Sequence, residues 1–409
     1  MTFLQIFYIS LSVGIVNCCI RPSPPCSFSQ RRNPVTGRCI DNPPPASRPF
    51  TWLENCDAVP QDCVNYGLEY DISYPFADDF DCFNGGSAIR CVVKPKPKLT
   101  TTPANEFKFL AYNIFERFYF LSIDGQRERT CRIPSWVLET IPDVDAIAFQ
   151  EVFLGGCDEN NLTLKKVLSF YGFRYTTSVV DSILALNGGI FIASKWPIVR
   201  EESYVFQSVM FLTAEIFVAK GVSYARIEKT VNGVTKPYNL MSTHLQSGGG
   251  DDNTIREAQC QEMVSFTQTL NIPANEPVLF AGDLNLRLDE QSLQTCLNLL
   301  SSKLPPLSRT SPLSLSWDPP TNTILQKNFA SRLPKWIDYV FYSKLHKNPI
   351  TSNQIIYNAK DQNEFKVCFA EDYINLFRHS HQPINDCDYT TETIKDLSDH
   401  YPVLGIFQF

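Results

Sequence analysis

Leu397-Ser398-Asp399-His400-Tyr401-Pro402-Val403-Leu404-Gly405-Ile406-Phe407 is the stretch on which the reading of this chain turns. The run from Val403 to Phe407 is short and apolar, and it reads as a buried closing strand. An Asp-His pair stands at its mouth. A carboxylate can fix the tautomer of a neighbouring imidazole and leave the other ring nitrogen facing a water or a metal, which is how a general base is built. One such pair also arises on ordinary surface loops. The reading therefore depends on whether other apolar strands end in polar groups that a single site can use.

Working back along the chain, Trp336-Ile337-Asp338-Tyr339-Val340-Phe341 and Pro277-Val278-Leu279-Phe280-Ala281 read as strands, the second delivering Gly282-Asp283-Leu284-Asn285. Asp283 and Asn285 alternate along extended backbone, so both are expected to point into one space. Tyr238 to Thr243 reads as a strand ending at His244, followed by a helix from about Asp252 that carries Arg256 and Gln259 on one face. Ala146-Ile147-Ala148-Phe149 delivers Gln150 and Glu151, and a carboxylate in that position is a hard oxygen ligand suited to Mg2+. Phe107 to Tyr112 delivers Asn113, with a helix expected over Pro134 to Thr140 between these two strands. Gly188-Gly189 lead into a further strand that is broken by Ser194-Lys195-Trp196-Pro197. Of the chain's five histidines, His244 and His400 alone fall at strand ends in this series; His346, His379 and His381 lie in polar, loop-like surroundings. Short strands alternating with amphipathic helices over residues 105–409 predict a two-layer α/β texture around one large core.

The order Asn113, Gln150-Glu151, His244, Gly282-Asp283-Leu284-Asn285, Asp338, Ser398-Asp399-His400 resembles that of the endonuclease/exonuclease/phosphatase superfamily. The resemblance implies a four-layer α/β sandwich of two packed mixed sheets, DNase I-like, with the site at one end. Within it, Gly188-Gly189 through Ser194-Lys195-Trp196-Pro197-Ile198, Thr243-His244-Leu245-Gln246, Ser316-Trp317-Asp318 and His400-Tyr401-Pro402-Val403 are similar to the secreted neutral sphingomyelinases, phospholipase C enzymes best known from bacteria. Carried over by position, that likeness makes Glu151 the principal Mg2+ ligand with Asn113 near it. It makes His400 the base oriented by Asp399, and His244 a donor to the phosphoryl oxygens. Asp283 and Asn285 would orient the phosphate and assist the leaving group, with Asp283 and His244 both open as the group that protonates the alkoxide, and Asp338 would support His244 or the phosphate. The expected cofactor is Mg2+, with one or two divalent ions left open. Without the likeness the chemistry is the same: an anionic phosphodiester needs a cation to neutralise charge and a base to deprotonate water.

Lys195 and Trp196 in the Ser-Lys-Trp-Pro run, and Phe211 in the apolar patch Val209-Met210-Phe211-Leu212, are expected to meet substrate or membrane. Before the final Ser-Asp-His, the region from Ile355 to Asp396 holds Phe365, Phe369, Tyr373 and Phe377 but no tryptophan, unlike the aromatic hairpin expected of the bacterial enzymes.

Residues 1–19 read as a signal peptide, because Phe3 to Val16 is almost continuously apolar yet too short to span a bilayer. Residues 20–93 are Pro-rich and hold Cys26, Cys39, Cys56, Cys63, Cys82 and Cys91, a disulfide-stapled module whose ligand is unknown. Asn33-Pro34-Val35-Thr36-Gly37-Arg38 within it is similar to a short signature of adaptor segments in large DNA viruses, and it is also an ordinary Pro-Gly turn. Residues 94–104, with Lys94-Pro95-Lys96-Pro97-Lys98, have linker composition. Fourteen cysteines with no Cys-x2-Cys pair favour disulfides over zinc, and Asn161-Leu162-Thr163 fits export. No segment is long enough to cross a membrane, and a monomer is the default. A net charge of −7 offers no basic footprint for nucleic acid.

The sequence thus predicts a secreted, Mg2+-dependent phosphodiesterase releasing ceramide and phosphocholine from sphingomyelin in membranes. A nuclease or other phosphoesterase is the alternative if Arg174, Lys195, Arg200 and Lys220 gather around the cleft. A vestigial effector is the third reading.

Overall fold

The computed structural model describes residues 30–32, 39–41, 48–53, 60–71, 89–119, 121–157, 162–182, 186–210, 218–248, 252–370 and 390–409. The signal peptide, the Asn33–Arg38 segment, Asn161, Phe211, Leu212, Tyr373, Phe377 and Cys387 lie outside the described residues.

From residue 105 on, two six-stranded mixed sheets face one another. The first contains β1 (Glu106–Glu116), β2 (Ala146–Val152), β3 (Phe191–Ser194), β9 (Thr351–Ile356) and β10 (Val403–Gln408), in the order β9-β10-β1-β2-β3 with the short strand Tyr175–Thr176 at its edge. The second runs β4 (Ile198–Val205), β5 (Gly221–Val231), β6 (Val234–His244), β7 (Val278–Asp283), β8 (Asp338–Ser343), with Ser302–Lys303 at the far edge. β1 and β2 are parallel, as are β6 and β7; the remaining pairs within these sheets are antiparallel.

Side-chain alternation along β1 explains the layering. Phe107, Phe109 and Ala111 enter one buried cluster with Tyr224, Leu240, Phe280 and Val340 of the second sheet. Leu110 and Tyr112 enter a separate cluster with Val137 and Leu138 of α1 (Gln126–Thr140) and Val167 and Leu168 of α2 (Leu164–Tyr171). Period-2 alternation thus buries both faces of one strand. On the outer face of the second sheet, α3 (Asp252–Thr269) and α4 (Gln291–Leu299) are joined by Cys260–Cys296. The four-layer sandwich of the sequence reading is what forms.

One helix differs from its expected bounds. α1 begins at Gln126, with Pro134 in mid-helix rather than at the start. Its first turns look like a charged loop in the sequence, yet they are buried, with Arg129 fully paired. Arg129, fully buried, donates to Asp124 Oδ1 at 2.6 Å, Phe115 O at 2.7 Å, Ile114 O at 2.9 Å and Leu397 O at 3.1 Å. A buried cation is tolerated only when its donors are paired in this way. The side chain also ties the end of β1 to the segment that carries His400.

Cys63–Cys91 and Cys131–Cys157 are further disulfides, and Cys368 is disulfide-bonded as well. Cys63, Tyr66, Leu68, Ile89 and Cys91 lie in the same buried cluster as α1. Arg132 on that helix donates to Val64 O at 2.7 Å and Asn65 O at 2.9 Å. No described helix is long and apolar enough to cross a membrane.

Topology places Lys195 and Trp196 away from Glu151. β3 runs antiparallel to β2 with Ser194 opposite Ala146, so residues after Ser194 emerge where β2 begins, whereas Glu151 lies where β2 ends. Lys195 Nζ donates to Pro142 O at 2.9 Å and Trp196 Nε1 to Asp145 Oδ1 at 2.7 Å. Asp145 in turn pairs with the buried Lys229 at 2.8 Å. Lys195 and Trp196 therefore brace the end of the sandwich opposite the site.

Candidate active site

The site forms where register brings strand ends together. In the second sheet His244 lies opposite Asp283, and Asp283 opposite Asp338. Register partners share a face, so three polar side chains stand side by side. The close approach of β6 and β7 requires Gly282: its φ is 147°, and a Cβ there would lie 1.9 Å from Thr243 O. In the first sheet Asn113 lies opposite Gln150 and continues the inward row Phe107, Phe109, Ala111. Glu151 follows with φ 55°, a left-handed conformation that a non-glycine residue adopts only when its surroundings hold it there.

Asn113 Nδ2 donates to Glu151 Oε1 at 2.9 Å and to Asp283 Oδ2 at 3.1 Å. His244 Nε2 lies 3.5 Å from Asp283 Oδ2 and 3.9 Å from Glu151 Oε1. Ligand atoms of Glu151, His244 and Asp283 all fall within 4.8 Å of one another. The two carboxylates dominate the donor set, which fits a hard divalent cation, while Asn113 turns its Nδ2 toward them and its Oδ1 accepts from Phe115 N at 3.1 Å.

His400 comes from the first sheet and bonds to the second. Its Nδ1 is 2.8 Å from Asp338 Oδ2, while its Nε2 is 3.8 Å from Asp283 Oδ2 and 3.9 Å from Asp399 Oδ1. This corrects two expectations. Asp338, not Asp399, is the carboxylate in hydrogen-bond contact with His400, and Asp338 is engaged by that ring rather than by His244. Adjacency in sequence did not become contact because Ser398 Oγ donates to Asn113 O at 2.7 Å and accepts from His400 N at 3.2 Å. That turn sends the ring toward Asp338 and leaves Asp399 beside the opposite ring nitrogen. Asp283 and Asn285 are not presented by strand alternation either. β7 ends at Asp283, and Asn285 adopts φ 51° with its N–H donating to Asp283 Oδ1 at 2.8 Å.

The charges are strongly coupled. Burial lowers His400's affinity for a proton, but Asp338, Asp399 and Asp283 outweigh it and raise its pKa well above the usual imidazole range. Burial pushes Asp338 up to about 6 and Asp399 up to about 7, opposed by His400. Burial, then the Lys220 charge, pushes His244 down to about 3. His244 is therefore a neutral ring.

Lys220 is the group the sequence reading undervalued. Buried on the approach to β5, its Nζ is 3.2 Å from His244 Nε2 and donates to Leu245 O at 2.9 Å. An ammonium has no acceptor, so Nε2 is the accepting nitrogen of His244. Ser316 was likewise seen only as part of a motif; its Oγ accepts from Asp338 N and Ile337 N, both at 3.1 Å. Neither has a sequence signal beyond the Lys-Gly step before a strand and the Ser-Trp-Asp run. Arg256 and Gln259 share a face as expected and grip one segment: Arg256 Nε donates to Gln246 O at 2.7 Å, and Gln246 N donates to Gln259 Oε1 at 2.8 Å.

The contact geometry supports a direct prediction. Asp338→Asn should lower kcat on a soluble phosphodiester by about 10³-fold or more, since an amide cannot hold the imidazolium. Asp399→Asn should cost at most about 10–100-fold. Steady-state kinetics of the two variants, each checked for folding, decides the matter; the reverse ranking would return the orienting role to Asp399.

A two-sheet sandwich with an oxygen-rich cation pocket and an Asp-braced histidine at one end defines a phosphoesterase-type architecture. The endonuclease/exonuclease/phosphatase family model matches residues 110–400, and the chain belongs to that family. Its relatives include Sphingomyelinase C of Listeria ivanovii, 28% identical over 243 residues that make up 58% of this chain and 64% of the relative. Sphingomyelinase C of Leptospira interrogans is 31% identical over 299 residues, 69% of this chain and 47% of the relative. The chain thus spans less than two thirds of the length of these relatives. Among solved structures, a mutant beta toxin of Staphylococcus aureus with bound magnesium ions superposes with a TM-score of 0.61 at 25% identity, over 74% of this chain and 100% of the toxin. Sphingomyelinase C of Streptomyces griseocarneus shares the fold, with a TM-score of 0.60 at 23% identity over 75% of this chain and 100% of that one.

Proposed function

We propose that the protein is a Mg2+-dependent phosphodiesterase of the phospholipase C type that hydrolyses the phosphodiester of sphingomyelin, releasing ceramide and phosphocholine. The observation that carries this reading is the His400–Asp338 pair set across both sheets from Glu151 and Asn113. Glu151, Asn113 and Asp283 would hold the cation, which supplies charge neutralisation of the phosphodiester when bound.

This chain's residues then divide the work. His400 Nε2 removes a proton from water while Asp338 holds the ring and its developing charge. The Lys220 ammonium, rather than the neutral His244, supplies positive charge to the departing alkoxide, which takes a proton from water as it leaves. Asn285 orients a phosphoryl oxygen, and Asp283, an acceptor-only carboxylate, acts on the phosphate through the cation. The scattered cations support a lipid over a nucleic acid. Lys195 lies at the far end, and Arg200 pairs with Glu202 and donates to Leu270 O. Of the four cations considered, Lys220 alone has a contact with a site residue in the described geometry.

The disulfides and the apolar start of the chain support an exported protein organised as signal peptide, Cys-rich module, linker and catalytic domain. Incubating purified protein with sphingomyelin vesicles and, separately, with DNA, in Mg2+ and in EDTA, tests the function. Mg2+-dependent phosphocholine release with DNA intact is expected. DNA cleavage with inert lipid would replace the substrate class.

A further inference from the structure

A cavity of about 280 Å³ opens beside His400, with Asn285 and His400 at its inner end and Trp317, Phe329, Arg332 and Lys335 along its sides. In a displacement at phosphorus, the attacking and leaving oxygens lie roughly in line across the phosphorus. The cavity borders the attack side, where His400 activates water, so the departing lipid cannot occupy it. What enters it is the substituent that stays on phosphorus, the head group.

The chemistry of the wall is unusual for a choline receptor. A quaternary ammonium is bound by open aromatic faces, which attract a cation through the ring quadrupole. Here Lys335 Nζ already sits 4.5 Å from the centroid of the Trp317 ring. The lysine is held there by its own backbone, because Lys335 N donates to Trp317 O at 2.8 Å while Lys335 O accepts from Trp317 N at 3.0 Å and Ser316 N at 3.1 Å. Arg332, exposed at the rim, adds a second positive charge. Among the described residues lining the cavity, Asp399 is the one carboxylate, and it stands 3.9 Å from His400 Nε2. An incoming fixed cation would therefore meet like charge on the face that should attract it, whereas a hydroxyl or anionic group would find donors.

We propose that this cavity is the head-group subsite and that Lys335, seated on Trp317, makes it select head groups bearing hydroxyl or anionic acceptors over head groups with a fixed ammonium. The inference rests on the phosphodiesterase reading and narrows its substrate: phosphosphingolipids with a polyol head group are the preferred class, and sphingomyelin is a slower one.

The test compares ceramide phosphoinositol with sphingomyelin in detergent micelles of the same neutral surfactant, for wild-type protein, Lys335→Met and Lys335→Glu. Wild type is expected to favour the inositol lipid in kcat/KM by about tenfold or more, with the ratio falling in Lys335→Met and inverting in Lys335→Glu, as like-charge contacts become opposite-charge ones. Calorimetric binding of inositol 1-phosphate and phosphocholine in Mg2+ gives the same ranking without turnover. A wild-type preference for choline, or a ratio unmoved by both substitutions, would overturn the proposal. Binding that follows the expected ranking while neither lipid is cleaved would sustain the subsite and sink the catalytic reading instead.

Discussion

Replacing His400 with alanine is expected to lower kcat for phosphodiester hydrolysis by about 10³–10⁴-fold with a much smaller change in KM. The imidazole is buried, its Nδ1 is fixed 2.8 Å from Asp338, and its Nε2 faces the centre of the site. No other described imidazole there can substitute, since His244 is held neutral with Nε2 accepting from Lys220. The His400→Ala, Asp338→Asn double variant should be scarcely slower than His400→Ala, because the two groups act as one unit. The pH profile gives an independent reading. A base works only when deprotonated, so activity should rise with pH through the His400 pKa. Asp338, Asp399 and Asp283 raise that pKa, hence Asp338→Asn should shift the acidic limb to lower pH. Wild-type rates from a folded His400→Ala protein would remove the base assignment.

The second large effect is expected at Glu151. Its carboxylate receives the Asn113 amide at 2.9 Å and lies with Asp283 around the oxygen-rich pocket that suits a hard cation. Glu151→Ala should lower kcat by about 10²–10⁴-fold, several kcal/mol of charge stabilisation being lost. It should also abolish the rise in thermal midpoint that Mg2+ gives wild type, since a ligand that binds only the native state stabilises it by mass action. Midpoints measured with and without Mg2+ separate the two roles of this residue. A variant that is inactive yet still stabilised by Mg2+ would mean that the cation is held elsewhere.

How much of this was legible in the chain depended on whether the signal was local. Alternation along Phe107 to Asn113 and the apolar run before Gly282-Asp283 are strand signals, and they placed Asn113, Glu151, His244, Asp283, Asp338 and His400 at strand ends. The sandwich then brought all six together. The pairing of His400 was illegible, because Asp399 is its neighbour in sequence and Asp338 its neighbour in space. Lys195 and Trp196 belong to a recognisable motif, but only the antiparallel register of β3 reveals that they emerge at the far end. The start of α1 was missed because Arg129 finds its partners in Asp124 Oδ1 and the backbone oxygens of Ile114, Phe115 and Leu397 rather than in water.

What the sequence by itself determined is the set of elements and the polar groups at their tips, since hydrophobic period and turn chemistry are properties of neighbouring residues. What only the tertiary structure decided is which tip meets which: Asp338 with His400, Lys220 with His244, Lys335 with Trp317. Those pairings join residues 62, 24 and 18 positions apart. They are set by strand register and sheet packing, which no local pattern encodes.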